Sequence, residues 1–272
     1  MTSSTCLTPQ MFAGKSVFVT GGSSGINLAI ARSFAEHGAA VAICARDADK
    51  LRSAIAELSQ AGDGQALGFV ADVRNDGAVR AALESAAHQH GPADVVVCGA
   101  AGNFMVRAED LTPNGFRTVV DIDLIGTFNA ANGAFEQLRA TRGSLLFVSA
   151  GQAFVPFSHQ AHAGAAKAGV ENLMRNLALE WGRYGIRCNS IVPGPIAGTE
   201  GVRRLAADVG EEAWADMVPL GRFGTTDEIA SMALVLCSPL ASFVTGTTLV
   251  ADGGLALTGS GRFNQALERA CS

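Results

Sequence analysis

The chain has 272 residues, 48% of them hydrophobic and only 17% charged, with a formal net charge of -5 at pH 7. That length sits at the upper edge of a single domain with one core, and an acidic balance without any basic block excludes a nucleic-acid surface. Pro, Ser or Gly interrupts the longest apolar stretches within about a dozen residues, so no membrane span is expected.

The elements alternate between short apolar runs and longer helical ones. Ser16 to Thr20 reads as a first strand, followed by a Gly-rich turn and an apolar-periodic helix over Asn27 to His37 that Gly38 ends. Ala40 to Cys44 is a second strand and Ala48 to Gln60 a second helix. Further strands are expected at Ala66 to Val70, Asp94 to Cys98, Ser144 to Ser149, Ile186 to Ile191 and Thr247 to Val250. Two long apolar-striped helices are expected near Gly115 to Arg139 and Ala161 to Tyr184. Strands that are apolar throughout imply a parallel sheet covered on both faces. Strand alternating with helix gives a single-domain, Rossmann-type, doubly wound α/β sheet spanning residues 1–272, with helices on both faces. The charge-rich stretch from Gly198 to Val218 lies past the sixth strand, at the edge where such sheets bind ligands, and reads as a substrate lid.

The six cysteines (Cys6, Cys44, Cys98, Cys188, Cys237, Cys271) form no CxxC and no Cys/His cluster. They read as free thiols in a reducing compartment, and no metal site is expected. The N-terminus has neither the apolar nor the basic region of a secretion signal, and Ala270-Cys271-Ser272 is not a peroxisomal tripeptide. The expected compartment is the cytoplasm.

Thr20-Gly21-Gly22-Ser23-Ser24-Gly25 follows the first strand directly and opens a helix. Glycines let backbone approach a pyrophosphate, and the helix N-terminus supplies N–H donors and partial positive charge. A tight strand–helix turn without a ligand would look the same, so context decides. The second strand runs into Arg46, where dinucleotide sites read the ribose 2′ position. An acidic residue there accepts the 2′-hydroxyl of NAD, whereas arginine suits the 2′-phosphate of NADP. Such a charge-assisted pair is worth about 1.5–3 kcal/mol, roughly 10- to 150-fold in preference. Asp72 and Val73 after the third strand, and Ala100, Ala101 and Gly102 after the fourth, would contact the rest of the dinucleotide.

The succession TGGSSGI, DV, AAG, AKAG, RCNSIVPGPI and VADGG resembles the short-chain dehydrogenase/reductase family from about Lys15 to Gly254. Within it, Ala101-Gly102-Asn103-Phe104, Asp121-Ile122-Asp123, His162-Ala163-Gly164 and Gly198-Thr199-Glu200-Gly201 resemble the peroxisomal-type 2,4-dienoyl-CoA reductases. That branch uses NADPH to reduce conjugated dienoyl-CoA thioesters. The resemblance implies that Gly21, Ser23, Ser24, Gly25, Ile26, Pro193, Gly194, Ile196, Thr199 and Lys167 hold the cofactor. It implies Asn103 and Phe104 as acyl-pocket residues; Phe154 and Phe157 are apolar candidates beside them, and Arg203 a candidate for a CoA phosphate. One position departs: both the family and this branch place glycine where Asn27 stands.

The family's usual catalytic set is Asn, Ser, Tyr and Lys. Here the Asn position is Asp123, the Ser position Ala150 and the Tyr position Ala163; only Lys167 is retained, and the peroxisomal-type branch shares these substitutions. A carbonyl reductase makes an alkoxide and needs an acid beside it. A dienoyl thioester takes hydride at its far carbon and delocalises the charge to the thioester oxygen. It needs an oxyanion partner and a positioned water instead. Lys167 would hold the nicotinamide ribose and add positive field, while Asp123 would orient the water. Asp121 competes for that role, but two residues apart on an α-helix point about 200° away from each other. A buried Asp–Lys pair that only locks two helices is the alternative.

The expected activity is NADPH-dependent reduction of 2,4-dienoyl-CoA. Two alternatives remain: reduction of another enoyl or 3-oxoacyl thioester or a carbonyl, and a non-catalytic NADP(H) sensor. The resemblance also implies a homotetramer assembled through the two long helices.

Overall fold

The computed structural model describes residues 8–62, 66–206 and 214–260. Cys6, Cys271, both chain ends and the middle of the lid stretch therefore lie outside the described residues. Seven strands form one parallel sheet in the order β3-β2-β1-β4-β5-β6-β7. They are β1 (Ser16–Thr20), β2 (Ala40–Ala45), β3 (Leu67–Val70), β4 (Val95–Cys98), β5 (Ser144–Val148), β6 (Arg187–Pro193) and β7 (Thr248–Ala251). The order reverses between β1 and β4, and that switch point is where an open α/β sheet leaves a crevice at its carboxyl edge. Register aligns the strand ends there: Thr20 lies opposite both Cys44 and Cys98, and Cys98 opposite Phe147.

Apolar helices cover both faces. One core joins α1 (Gly25–Glu36), α2 (Ala48–Ala61) and α9 (Thr226–Cys237) to the sheet through Ile30, Phe34, Leu58 and Leu234. The other joins α3 (Asp76–His90), α5 (Gly126–Gly133), α6 (Phe135–Thr141) and α7 (Ala161–Trp181) through Leu83, Leu138, Phe147 and Met174. Local signals start these helices. Asp47 accepts from the N–H groups of Asp49 and Lys50 at the head of α2, and Asn75 from that of Ala78 at the head of α3. Thr225 and Glu228 form a reciprocal capping box on α9.

The expected long helix from Gly115 to Arg139 is a succession of shorter ones. It comprises α4 (Pro113–Val120), a π-helical turn over Asp121–Ile125, then α5 and α6. The backbone stays right-handed helical from α4 through the π-turn into α5, and a Cβ on Gly126 would come within 2.5 Å of Val73, so the helix seats itself against the loop after β3. Tyr184, the chain's single tyrosine, lies beyond α7 in a short turn (Gly182–Tyr184), with its ring edge-on to Phe135. Among the described residues no helix is long and apolar enough to cross a membrane.

Candidate active site

A groove of about 900 Å³ opens at the switch point. Its floor is the turn after β1. Gly21 takes φ +68, a left-handed conformation that glycine adopts without strain, and a Cβ there would come within 2.8 Å of the Ala100 Cα. Ser24 caps α1 with extended backbone but no side-chain hydrogen bond, so the first N–H groups of the helix stay directed at the groove. A cradle that a Cβ would fill, next to an uncapped helix start, fits a diphosphate. Ser23, Gly25, Ile26, Arg46, Asp72, Val73, Ala100, Ala101, Gly102 and Thr199 line the same groove. Lys50 lines it too, a second cation near Arg46 that sequence reading missed. Asp72 pairs with Arg74 and not with Arg46, which adds only a smaller charge effect on it. Its carboxylate is held by Arg74 through hydrogen bonds of 2.6 to 3.1 Å, which keep it below the usual carboxylate range.

The chemical end is built of buried side chains. Asp123 is 2% exposed and Lys167 7%, and both line the groove. The Gly102 N–H donates to Asp123 Oδ1 at 2.7 Å, and Lys167 Nζ stands 3.5 Å from Oδ2 while donating to the Val148 carbonyl at 3.0 Å. The lysine is thus fixed between the end of β5 and the aspartate. Helix contact makes this possible: a Cβ on Gly169 would come within 2.7 Å of Leu124, so α7 lies tight against the π-helical turn. The turn also separates the two acids. Asp123 is buried, whereas Asp121 is part-exposed and adds, after Asp72, to the negative charge around Arg74. Sequence periodicity assumes a regular helix there, and motif position singles out Asp123; the structure buries that carboxylate beside Lys167 on a π-turn, a feature frequent at functional sites that the sequence does not signal.

Ala150 and Ala163 line the groove beside the pair, at the positions where a hydroxyl and a phenol are expected in the wider family. Asn103, Phe104, Met105 and Gln160 form the far wall. Gln160, at the start of α7, accepts from Asn103 Nδ2 at 2.6 Å and donates to the Met105 sulfur at 2.9 Å. Nothing in its sequence context marks it. His162 is fully buried, outside the lining, with its ring 4.4 Å from that of Phe104. Burial pushes its pKa below the ordinary histidine value, against smaller opposing effects of the Phe104 backbone and Asp123. The ring packs against Phe104, and His162 is not among the groove-lining residues that Ala163 joins.

Other expected site residues are placed elsewhere. Phe154 and Phe157 are exposed and outside the groove lining. Gly194 and Ile196 line a separate cavity of about 330 Å³, Pro193 neither, and the Ile196 carbonyl already accepts from the Thr199 hydroxyl at 2.8 Å. Arg203 turns back to Glu200 one turn earlier in α8 (Glu200–Ala206) and leaves the groove. For Arg203 a local ion pair takes the side chain, which motif position does not register. Among the described residues no cluster could hold a metal ion.

Comparison with known proteins agrees with this architecture. Residues 21–256 match the family model described as enoyl-(acyl carrier protein) reductase. The peroxisomal 2,4-dienoyl-CoA reductase [(3E)-enoyl-CoA-producing] of Saccharomyces cerevisiae is 43% identical over 250 residues, covering 91% of this chain and 86% of that protein. A probable 2,4-dienoyl-CoA reductase [(2E)-enoyl-CoA-producing] of Bacillus subtilis is 41% identical over 246 residues, covering 88% and 96%. Among solved structures, a gluconate 5-dehydrogenase from Burkholderia cenocepacia in complex with NADP and tartrate superposes with a TM-score of 0.83 at 28% identity, covering 90% of this chain and 96% of that one. With the reversed-order parallel sheet, the glycine cradle and the retained lysine, these matches place the chain in the short-chain dehydrogenase/reductase family of oxidoreductases.

Proposed function

We propose that the protein reduces 2,4-dienoyl-CoA thioesters with NADPH. The observation that carries this reading is the buried Asp123–Lys167 pair flanked by Ala150 and Ala163. With alanine at both positions where the family carries its catalytic serine and tyrosine, the groove is poorly equipped to protonate an alkoxide, and well suited to an acceptor whose charge spreads onto a thioester oxygen. Relatives named as 2,4-dienoyl-CoA reductases support the same substrate class.

Gly21, Ser23, Ser24, Gly25 and the start of α1 would hold the diphosphate, and Arg46 with Lys50 the 2′-phosphate that distinguishes NADPH from NADH. Bound there, the nicotinamide supplies the hydride. Lys167 contributes positive field where negative charge develops on the thioester oxygen. Asp123, fixed by the Gly102 N–H, accepts a hydrogen bond from a water and orients it to protonate carbon; solvent restores the water's proton. Asn103 and Phe104 line the acyl path, and the start of the lid stretch, residues 198–203, stands at its mouth with Thr199, Glu200 and Gly201 in the groove lining.

The test is direct. Purified protein mixed with NADPH and a trans,trans-2,4-dienoyl-CoA should consume both, followed by absorbance. Bound NADPH with no turnover across a range of chain lengths refutes the reading. A second reading, reduction of a 2-enoyl thioester, is favoured by the description of the matching family model; turnover of 2-enoyl but not 2,4-dienoyl substrates would select it.

We also infer a homotetramer. Ile125, Phe128 and Leu179 leave apolar side chains exposed on the π-turn, α5 and α7, and Phe243 and Val250 do so beside the unpaired edge of β7. Light scattering that gives a monomer mass overturns this. The proposed compartment is the cytoplasm, with which the free, buried Cys44, Cys98, Cys188 and Cys237 agree; fractionation of producing cells tests it.

A further inference from the structure

Asn27 is the third residue of α1, at the position where the family resemblance expects glycine. A side chain there has two obvious outlets: toward the uncapped N–H groups of its own helix, or into the groove. It takes neither. Its Nδ2 donates to the Gly99 carbonyl at 2.7 Å and to the Gly21 carbonyl at 3.4 Å. Gly21 follows β1 and Gly99 follows β4, the two neighbouring strands between which the sheet reverses its order. One carboxamide therefore spans the mouth of the switch point.

The fit leaves no slack. A Cβ on Gly99 would approach three atoms of the Asn27 carboxamide at 2.2 to 2.7 Å. From the strand side, Thr20 Oγ1 accepts from the N–H groups of Gly99 and Ala100 at 3.0 and 3.3 Å. The loop after β4 is thus gripped on one side by Thr20 and on the other by Asn27. Electrostatics gives the grip a second consequence. Gly21, Gly99 and Asn27 all line the groove, and the two carbonyl oxygens carry partial negative charge beside the place where an anionic diphosphate would lie. The carboxamide NH₂ occupies both oxygens, while the N–H groups at the start of α1 remain uncapped and available to an anion.

We propose that Asn27 is a positioning residue for the dinucleotide: it sets the gap between the turn after β1 and the loop after β4, and it neutralises the two carbonyls that face the diphosphate. This rests on the reading of the groove as a nicotinamide-dinucleotide site. Asn27→Gly restores the family pattern but removes the donor, and Asn27→Asp keeps the shape while placing a carboxylate against two carbonyls and a diphosphate. Dissociation constants for NADPH and for NADH, measured by fluorescence well below the melting point of each cofactor-free variant, should rise roughly tenfold for Asn27→Gly and roughly a hundredfold for Asn27→Asp. Both cofactors should weaken by the same factor, because the diphosphate is common to them. Asn27→Ser, with a shorter donor, should fall between wild type and the glycine variant, and it stands in if the aspartate variant does not fold. Unchanged dissociation constants with a lowered melting temperature would reduce Asn27 to a structural staple and overturn the proposal, as would a loss confined to NADPH. If the wild-type chain binds neither dinucleotide, the cofactor reading and this proposal fall together; if it binds and the variants bind equally, the proposal falls alone.

Discussion

The two ends of the groove are built from different material. At the cofactor end the cradle is made of backbone: a left-handed glycine, an uncapped helix start and two carbonyls held by Asn27, with Arg46 and Lys50 beyond it. At the chemical end it falls to two buried charges, each held by a backbone group from a different loop or strand. Backbone groups recognise a diphosphate whatever most side chains are, so an exchange there acts by shifting backbone, as proposed for Asn27. A buried charge pair does not survive exchange, because removing either partner leaves the other uncompensated in a low-dielectric site.

The most severe way to break this contrast is at Asp123. Asp123→Asn keeps the shape and takes away the carboxylate, and we expect kcat/KM for dienoyl-CoA to fall about 10²- to 10⁴-fold while NADPH binds within about threefold of wild type. Steady-state kinetics and fluorescence titration check the two halves; a variant of wild-type activity would end the proposed chemistry. Arg46→Ala attacks the other end. NADPH binding should weaken roughly 10- to 150-fold with NADH nearly unaffected, a loss of cofactor choice without loss of chemistry.

Smaller effects sharpen the picture. The His162 pKa is lowered from the ordinary value of 6.5 by burial, so the unfolded chain binds the proton more readily than the folded one. Stability is therefore fully present above pH 6.5 and is lost as the pH falls below it, by up to about 1.4 kcal/mol per pH unit. His162→Phe, which keeps a ring against Phe104, should flatten that slope in urea melts between pH 7 and 5. The smallest effect is expected remote from both ends, at Glu228. Arg222 and the capping box lower its pKa from 4.5 to about 2, so its contribution is present above 4.5 and disappears as the pH falls toward 2. The pair is partly exposed, and Glu228→Gln should cost no more than about 1 kcal/mol, a few degrees in melting temperature.

Much of this was legible along the chain. Seven apolar runs sit within a residue or two of the observed strands, and the Gly-rich turn and Arg46 fall where the groove needs them. Lys167 and Asp123 were found by motif position, and the structure brings them together. Phe154, Phe157 and Arg203 show the failure of the same reasoning. Their motif neighbourhood is right, but an exposed turn and an Arg–Glu pair within α8 direct them away. Gln160 and Lys50 carried no signal, since an isolated Gln or Lys at the start of a helix is commonplace.

Periodicity and turn chemistry act over a few residues, and they were enough to specify a parallel, doubly wound sheet with a phosphate-ready turn at its first strand. The arrangement of the site needed contacts between distant parts of the chain: Asn27 with Gly99, Asp123 with Gly102, Lys167 with Val148, α7 with the π-turn. Those contacts depend on how closely packed elements approach and which buried polar atoms find partners, and neither quantity exists until the two faces of the sheet are covered.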